Sequence, residues 1–153
     1  CKRAQTMDVS GERYLDFSVE DALECLPDAL RRRIIRFFLR RHLHLHADAI
    51  LLTQHDAALG RMSEKEQQRL YERLREGLPP SLRLAVKPHP DDTLDYRRIF
   101  PEAELIRPIF PAELLPYVCM HKPDTIYTFD SSSCANLKKH FTIRTIRREA
   151  YAE

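Results

Sequence analysis

Glycine is scarce: only Gly11, Gly60 and Gly77 occur among 153 residues. That excludes the GxGxxG turn of dinucleotide sites and the GxxxxGK[ST] loop of P-loop NTPases, so any phosphate has to be held by other groups. The four cysteines, Cys1, Cys25, Cys119 and Cys134, are scattered with no CxxC pair. Neither a zinc ribbon nor a disulfide framework is suggested, and a reduced, cytosolic setting is the simplest expectation. No apolar run approaches the length of a transmembrane helix. A net charge of +2, from 25 basic and 23 acidic residues, lacks the excess that would draw the chain onto nucleic acid. Internal repeats and low-complexity tracts are absent too. The first residue is Cys1 rather than Met, which leads us to expect a piece of something longer.

What the chain does have is Lys87-Pro88-His89-Pro90. It follows Leu82-Arg83-Leu84-Ala85-Val86, an apolar run that reads as a buried strand. Each proline fixes its own φ and pushes the preceding residue toward extended backbone. His89 is therefore expected on a stiff loop just past a strand's carboxyl end, where open α/β sheets bind ligands. The plain alternative is a strand-ending loop with a surface histidine.

The N-terminal third is less regular. Ser18, with Asp21 three residues on, is placed to cap a short helix. A stronger helix is expected from Asp28 to about Leu43, with Leu30, Ile34, Phe37, Phe38 and Leu39 on one face. Arg31, Arg32, Arg33, Arg36, Arg40 and Arg41 fall on the other. Such a face suits an anionic membrane surface, a further domain, or simply water. His42, His44 and His46 would share one face of a strand, but no neighbouring acid or thiol completes a metal site.

From Ala49 strands alternate with helices. Strands are expected at 49–53, 82–87, 103–107, 125–129 and 141–146. Helices are expected at 63–76, with a Ser63/Glu66 capping box and Gly77 just past its end, and at 91–98, 111–119 and 131–139. The alternation predicts an α/β fold with a doubly wound parallel sheet and right-handed crossovers. The expected division is 1–47, a helical segment or linker, and 48–153, the sheet domain.

The loops leaving the strands would then line one edge together. They carry Gln54-His55-Asp56, then His89, then Pro108 to Glu113, then Asp130-Ser131-Ser132-Ser133. Three serines opening a helix suit a phosphate through hydroxyls, free N–H groups and the helix dipole. Glu113, in a first helical turn, is suited to accept hydrogen bonds from ribose hydroxyls.

Ile50-Leu51-Leu52-Thr53-Gln54, Lys87-Pro88-His89-Pro90, Phe110-Pro111-Ala112-Glu113-Leu114-Leu115 and Ser131-Ser132-Ser133 occur in that order. Together they resemble the C-terminal, nucleotide-binding half of bacterial sialyltransferases, most closely glycosyltransferase family 52 of lipooligosaccharide synthesis. The resemblance covers roughly residues 48 to 140. It implies one Rossmann-like half of a GT-B enzyme with its active site between two domains, and hence a fragment inactive alone. It also implies a CMP-sialic acid donor, a cell-surface glycan acceptor, no cofactor and no catalytic metal. By the same resemblance His89 would contact the CMP phosphate and assist its departure. Ser131, Ser132 and Ser133 would bind that phosphate, with Lys87 beside it. Glu113 would hold the ribose, and the backbone at Ile109 and Phe110 would meet the cytosine. The implied setting is the bacterial cytoplasm, with peripheral contact to the inner membrane and a dimer both left open.

One feature departs from the family pattern. The acidic pair expected before a glycine in the loop after the first strand is replaced by Ala58-Leu59-Gly60. Asp56 is the nearest acid. Either it serves as the general base, or the base lies elsewhere, or the protein binds a nucleotide without transferring sialic acid. A transferase using another donor, such as a CDP-linked polyol phosphate, fits the histidine and serine motifs equally well.

Overall fold

The computed structural model describes residues 18–107, 109–129 and 132–148. Helix α1 (Val19–Cys25) opens on Ser18, whose hydroxyl accepts the Asp21 N–H, as the spacing predicts. Helix α2 (Asp28–Phe38) follows. Then come β1 (Ala49–Leu52), α3 (Glu64–Gly77), β2 (Leu84–Lys87), α4 (Tyr96–Ile99) and β3 (Glu104–Leu105). A 3-10 turn (Ala112–Leu114) runs into α5 (Leu115–Val118), and β4 (Thr125–Thr128), a second 3-10 turn (Ser132–Asn136) and β5 (Thr142–Thr145) follow.

The five strands form one parallel sheet in the order β3-β2-β1-β4-β5. The chain builds outward from β1 through β2 and β3, then returns to the other side of β1 with β4 and β5. Loops leaving β1 and β4 therefore turn apart, and that reversal opens a crevice at the strands' carboxyl ends.

Successive residues of β1 point to opposite faces, and both faces are covered. Ile50 and Leu52 join an apolar cluster with Leu23, Leu39, Leu45, Leu115 and Leu137. Ala49 and Leu51 join another with Leu70, Tyr71, Leu74, Tyr96 and Phe100. Helices α1 and α2 thus pack on the same core as the first face of the sheet.

Several elements differ from the sequence expectation. Helix α2 ends at Phe38 rather than near Leu43. Leu39 turns extended and buries its side chain, and Leu43 bonds to Val118 O and receives Met120 N–H. An extended run puts Leu39, Leu45 and Ala47 into the core, which a continued helix would not do. His42, His44 and His46 do share the opposite, exposed side, and of them His46 lies 3.9 Å from Glu104. On α2, Ile34, Ile35 and Phe38 dock while Leu30 and Phe37 stay exposed.

The capping box of α3 is complete, with Ser63 and Glu66 bonded in both directions. Gly77, however, is the last helical residue rather than a left-handed cap; among the described residues Gly60 is the glycine with positive φ. Leu78 ends the helix in extended backbone, the conformation imposed by the proline after it. The helices expected at 91–98, 111–119 and 131–139 shrink to α4, the turn with α5, and a 3-10 turn. At α4 the cause is local: the Asp95 side chain takes the Arg97 N–H and starts the helix late.

Candidate active site

The strand ends enclose a cleft of about 490 Å³. Residues Leu52 to His55 come from the end of β1, Lys87 to Pro90 from β2, and Ile109 to Glu113 from the loop beyond β3. Phe38, the last residue of α2, closes the rim.

His89 is fixed from two directions. Its backbone N–H donates to the Thr53 hydroxyl at 3.0 Å. Its ring Nδ1 accepts the Asp91 N–H at 3.2 Å. A ring nitrogen that accepts carries no proton, so the neutral imidazole bears its hydrogen on Nε2. Burial and the neighbouring His55 hold its pKa below the usual histidine value, which keeps the ring neutral at pH 7. His89 therefore presents a neutral N–H donor.

The Thr53 hydroxyl is itself oriented. It donates to Asp92 Oδ2 at 3.3 Å. Asp92 also accepts both contacts of Gln67 Nε2 at 3.1 Å, the Leu94 N–H at 3.2 Å and the Tyr96 hydroxyl. Burial raises the Tyr96 pKa, so that hydroxyl remains a donor. Gln67 bridges onward to Gln54 O and the Ala57 N–H, and Tyr71 accepts the Gln54 N–H at 2.7 Å. The loop after β1 and the loop after β2 are thus tied through one carboxylate.

His55 stacks on His89, with centroids 3.7 Å apart and planes 13° from parallel. Its Nδ1 is buried with no hydrogen-bond partner. Nitrogens of His55 and His89 and an Asp91 oxygen lie within 4.8 Å of one another, close enough to hold a metal. Near-parallel rings, however, aim their in-plane lone pairs side by side rather than at one point, and His89 Nδ1 already accepts from Asp91.

Lys87 ends β2 almost fully buried, with Nζ 4.4 Å from the centre of the Phe110 ring. Burial pulls its pKa down to about 8, against an upward pull from Glu113. It is still mostly protonated at pH 7. The cleft floor thus holds a poorly hydrated cation beside a neutral N–H donor, a combination suited to an anion.

The structure brings Lys87, His89, Ile109, Phe110 and Glu113 into this one cleft. Phe110 is buried and Ile109 is exposed. Asp56 lies elsewhere. It is buried, paired with Arg61 at 3.1 Å and Arg148 at 2.7 Å, and lines no part of the cleft; its neighbour His55 does. Ser131 is outside the described residues. Ser132 and Ser133 begin the 3-10 turn after β4, and their side chains are not described. The sequence placed Thr53 and His55 on this edge without assigning them a role, and did not point to Gln67 or Asp92 at all. Hydrophilic residues at both ends of a buried strand run were the available signal.

A family model described as glycosyltransferase family 52 matches residues 31–148. The chain belongs to glycosyltransferase family 52. No curated protein and no solved structure matches it. The match takes in α2 from Arg31 onward, all five strands and every residue of the cleft. As a family 52 member it is a glycosyltransferase, whose reaction passes a sugar from a donor to an acceptor. Among the described residues no helix is long and apolar enough to cross a membrane.

The buried lysine gives a test by pH. Its folded pKa lies near 8 and its unfolded value near 10.5. Between those values the unfolded chain binds more protons, so this group makes stability rise with pH. Lys87→Met should be more stable than wild type at pH 7, and the gain should shrink by about 1–2 kcal/mol at pH 9.5. Urea unfolding of both proteins at the two pH values measures it; a gain independent of pH would contradict the buried cation.

Proposed function

We propose that this domain binds the CMP moiety of a CMP-sugar and serves a sialyltransferase-like transfer to a cell-surface glycan. The observation that supports this most is the oriented His89: Nδ1 occupied, Nε2–H left for a ligand, and Lys87 in the same cleft. As the glycosidic bond breaks, negative charge grows on the departing phosphate. A donor fixed in advance stabilises that charge most in the transition state, which is what raises the rate. Lys87 supplies long-range positive charge, and Glu113 is suited to ribose hydroxyls. Ser131, Ser132 and Ser133 are proposed to share the phosphate. Catalysis needs no metal in this scheme.

The acceptor hydroxyl needs a base. Asp56, held by two arginines, is poorly disposed to take a proton. His55 fits better in position, since it faces the cleft with a buried, unpartnered Nδ1. The engagement of Asp56 by two arginines supports a second reading, in which the domain binds a nucleotide without transfer. A donor of another kind, such as a CDP-linked polyol phosphate, would use the same groups. The sheet is proposed as one half of a GT-B enzyme, inactive alone, in the bacterial cytoplasm. Peripheral membrane contact through the arginines of α2, and dimerisation, are proposals of the same standing.

CMP should bind the 153-residue chain weakly and equally well with or without chelator. Calorimetry decides it, and binding that requires magnesium would count against the scheme. In the full-length enzyme, His89→Ala should lower kcat by about 10²-fold or more, the usual scale for a positioned donor. The far-ultraviolet circular dichroism should be unchanged. Near-normal turnover of that variant would make the histidine structural.

A further inference from the structure

A separate polar cluster lies on the opposite flank of the first core, where α1 meets the turn before β5. Glu20 is buried, with 5% of its surface exposed, and its Oε1 has no hydrogen-bond partner. His140 Nε2 is buried and likewise has no hydrogen-bond partner, although it lies at ion-pair distance from two glutamates. The two atoms are 3.3 Å apart, and Glu24 Oε1 is 3.5 Å from the same nitrogen. Neither contact has hydrogen-bond geometry, so the imidazole N–H is not aligned on a carboxylate. A third unpartnered buried atom, the Tyr117 hydroxyl, belongs to a ring 5.9 Å from the His140 ring. Three of the five such atoms among the described residues therefore gather at one place. Buried polar atoms without partners are costly, and each calls for an explanation.

We propose that Glu20, Glu24 and His140 form a structural divalent-metal site, best suited to zinc, that clamps α1 to the sheet domain. All three side chains offer ligand atoms within 4.8 Å of one another. Tetrahedral zinc with bonds of about 2.0–2.2 Å separates its ligands by about 3.3–3.6 Å, the spacing found from His140 to each glutamate. An imidazole with two carboxylates favours zinc over magnesium or calcium, which prefer oxygen alone. Glu20 and Glu24 are one helical turn apart, so both reach the same point from α1. Lys139 contacts Glu24 through its other oxygen, at 3.5 Å, and pairs with Asp21, which holds the glutamate toward His140. Such outer partners orient ligands in metal sites generally. The Tyr117 ring packs edge-on against His140, and a water molecule would supply the fourth ligand. The site lies apart from the cleft and takes no part in sugar transfer.

The test uses the metal-stripped 153-residue chain. Zinc titrated in a calorimeter should bind once per chain and raise the melting temperature. Losing an outer-shell partner costs 10–100-fold in affinity, so Glu20→Gln or His140→Gln should each cost at least about 100-fold. Each variant should keep its circular dichroism. Cobalt(II) added to the wild-type protein should give tetrahedral d–d bands without a thiolate charge-transfer band, a readout that needs no variant to fold. The proposal is overturned by absence of stoichiometric zinc binding, by binding that survives both substitutions, by binding lost instead in His55→Gln, or by a thiolate band with cobalt.

Discussion

The Asp92 carboxylate is the point on which the cleft depends. Donors from four parts of the chain converge on it: Thr53 after β1, Gln67 in α3, Leu94 in the loop and Tyr96 in α4. A carboxylate in this setting is stable because its acceptor positions are filled, and the hydroxyls and amide around it would be unsatisfied without it. Through Thr53 the network reaches the backbone of His89, so the ring's position depends in part on Asp92, Gln67 and Tyr96, which do not line the cleft. The two prolines around His89 limit what remains of its freedom.

The cleft that results is electrostatically uneven. Lys87 is a cation deprived of water, stacked on Phe110, with Glu113 as a partial counterweight. An anion seated there would pair with that cation and make up for its lost hydration. The arrangement is economical in glycine. Where P-loop proteins cradle phosphate in glycine-rich backbone, the cleft here is lined by side chains on proline-stiffened loops, and among the described residues Gly60 is the one that adopts positive φ, with nothing near its Cβ position.

Much of the framework could be read from the chain. Strands β1 and β2 stand out because they are buried on both faces, the mark of a buried parallel sheet, and Ser63 and Glu66 announce α3 without ambiguity. His89 was legible because two prolines bracket it. The rest was hidden for definite reasons. The apolar residues of helix α2 ran on past Phe38 to Leu39, but tertiary burial of Leu39 and Leu45 won over helical propensity. Asp56 looked available from its place in sequence; its two arginine partners, one of them Arg148 near the far end of the chain, could not be inferred. Asp92 and Thr53 are 39 residues apart, and nothing in their local sequence marks them as a pair.

The tautomer of His89 is the most direct test of the account. Nitrogen-15 shifts of the ring, recorded near pH 7.5 on uniformly labelled protein, distinguish a protonated from an accepting nitrogen. The account predicts a neutral ring with the proton on Nε2 and an accepting Nδ1, with Nε2 the nitrogen that moves when CMP is added. A ring protonated on Nδ1, or an Nε2 indifferent to CMP, would contradict it.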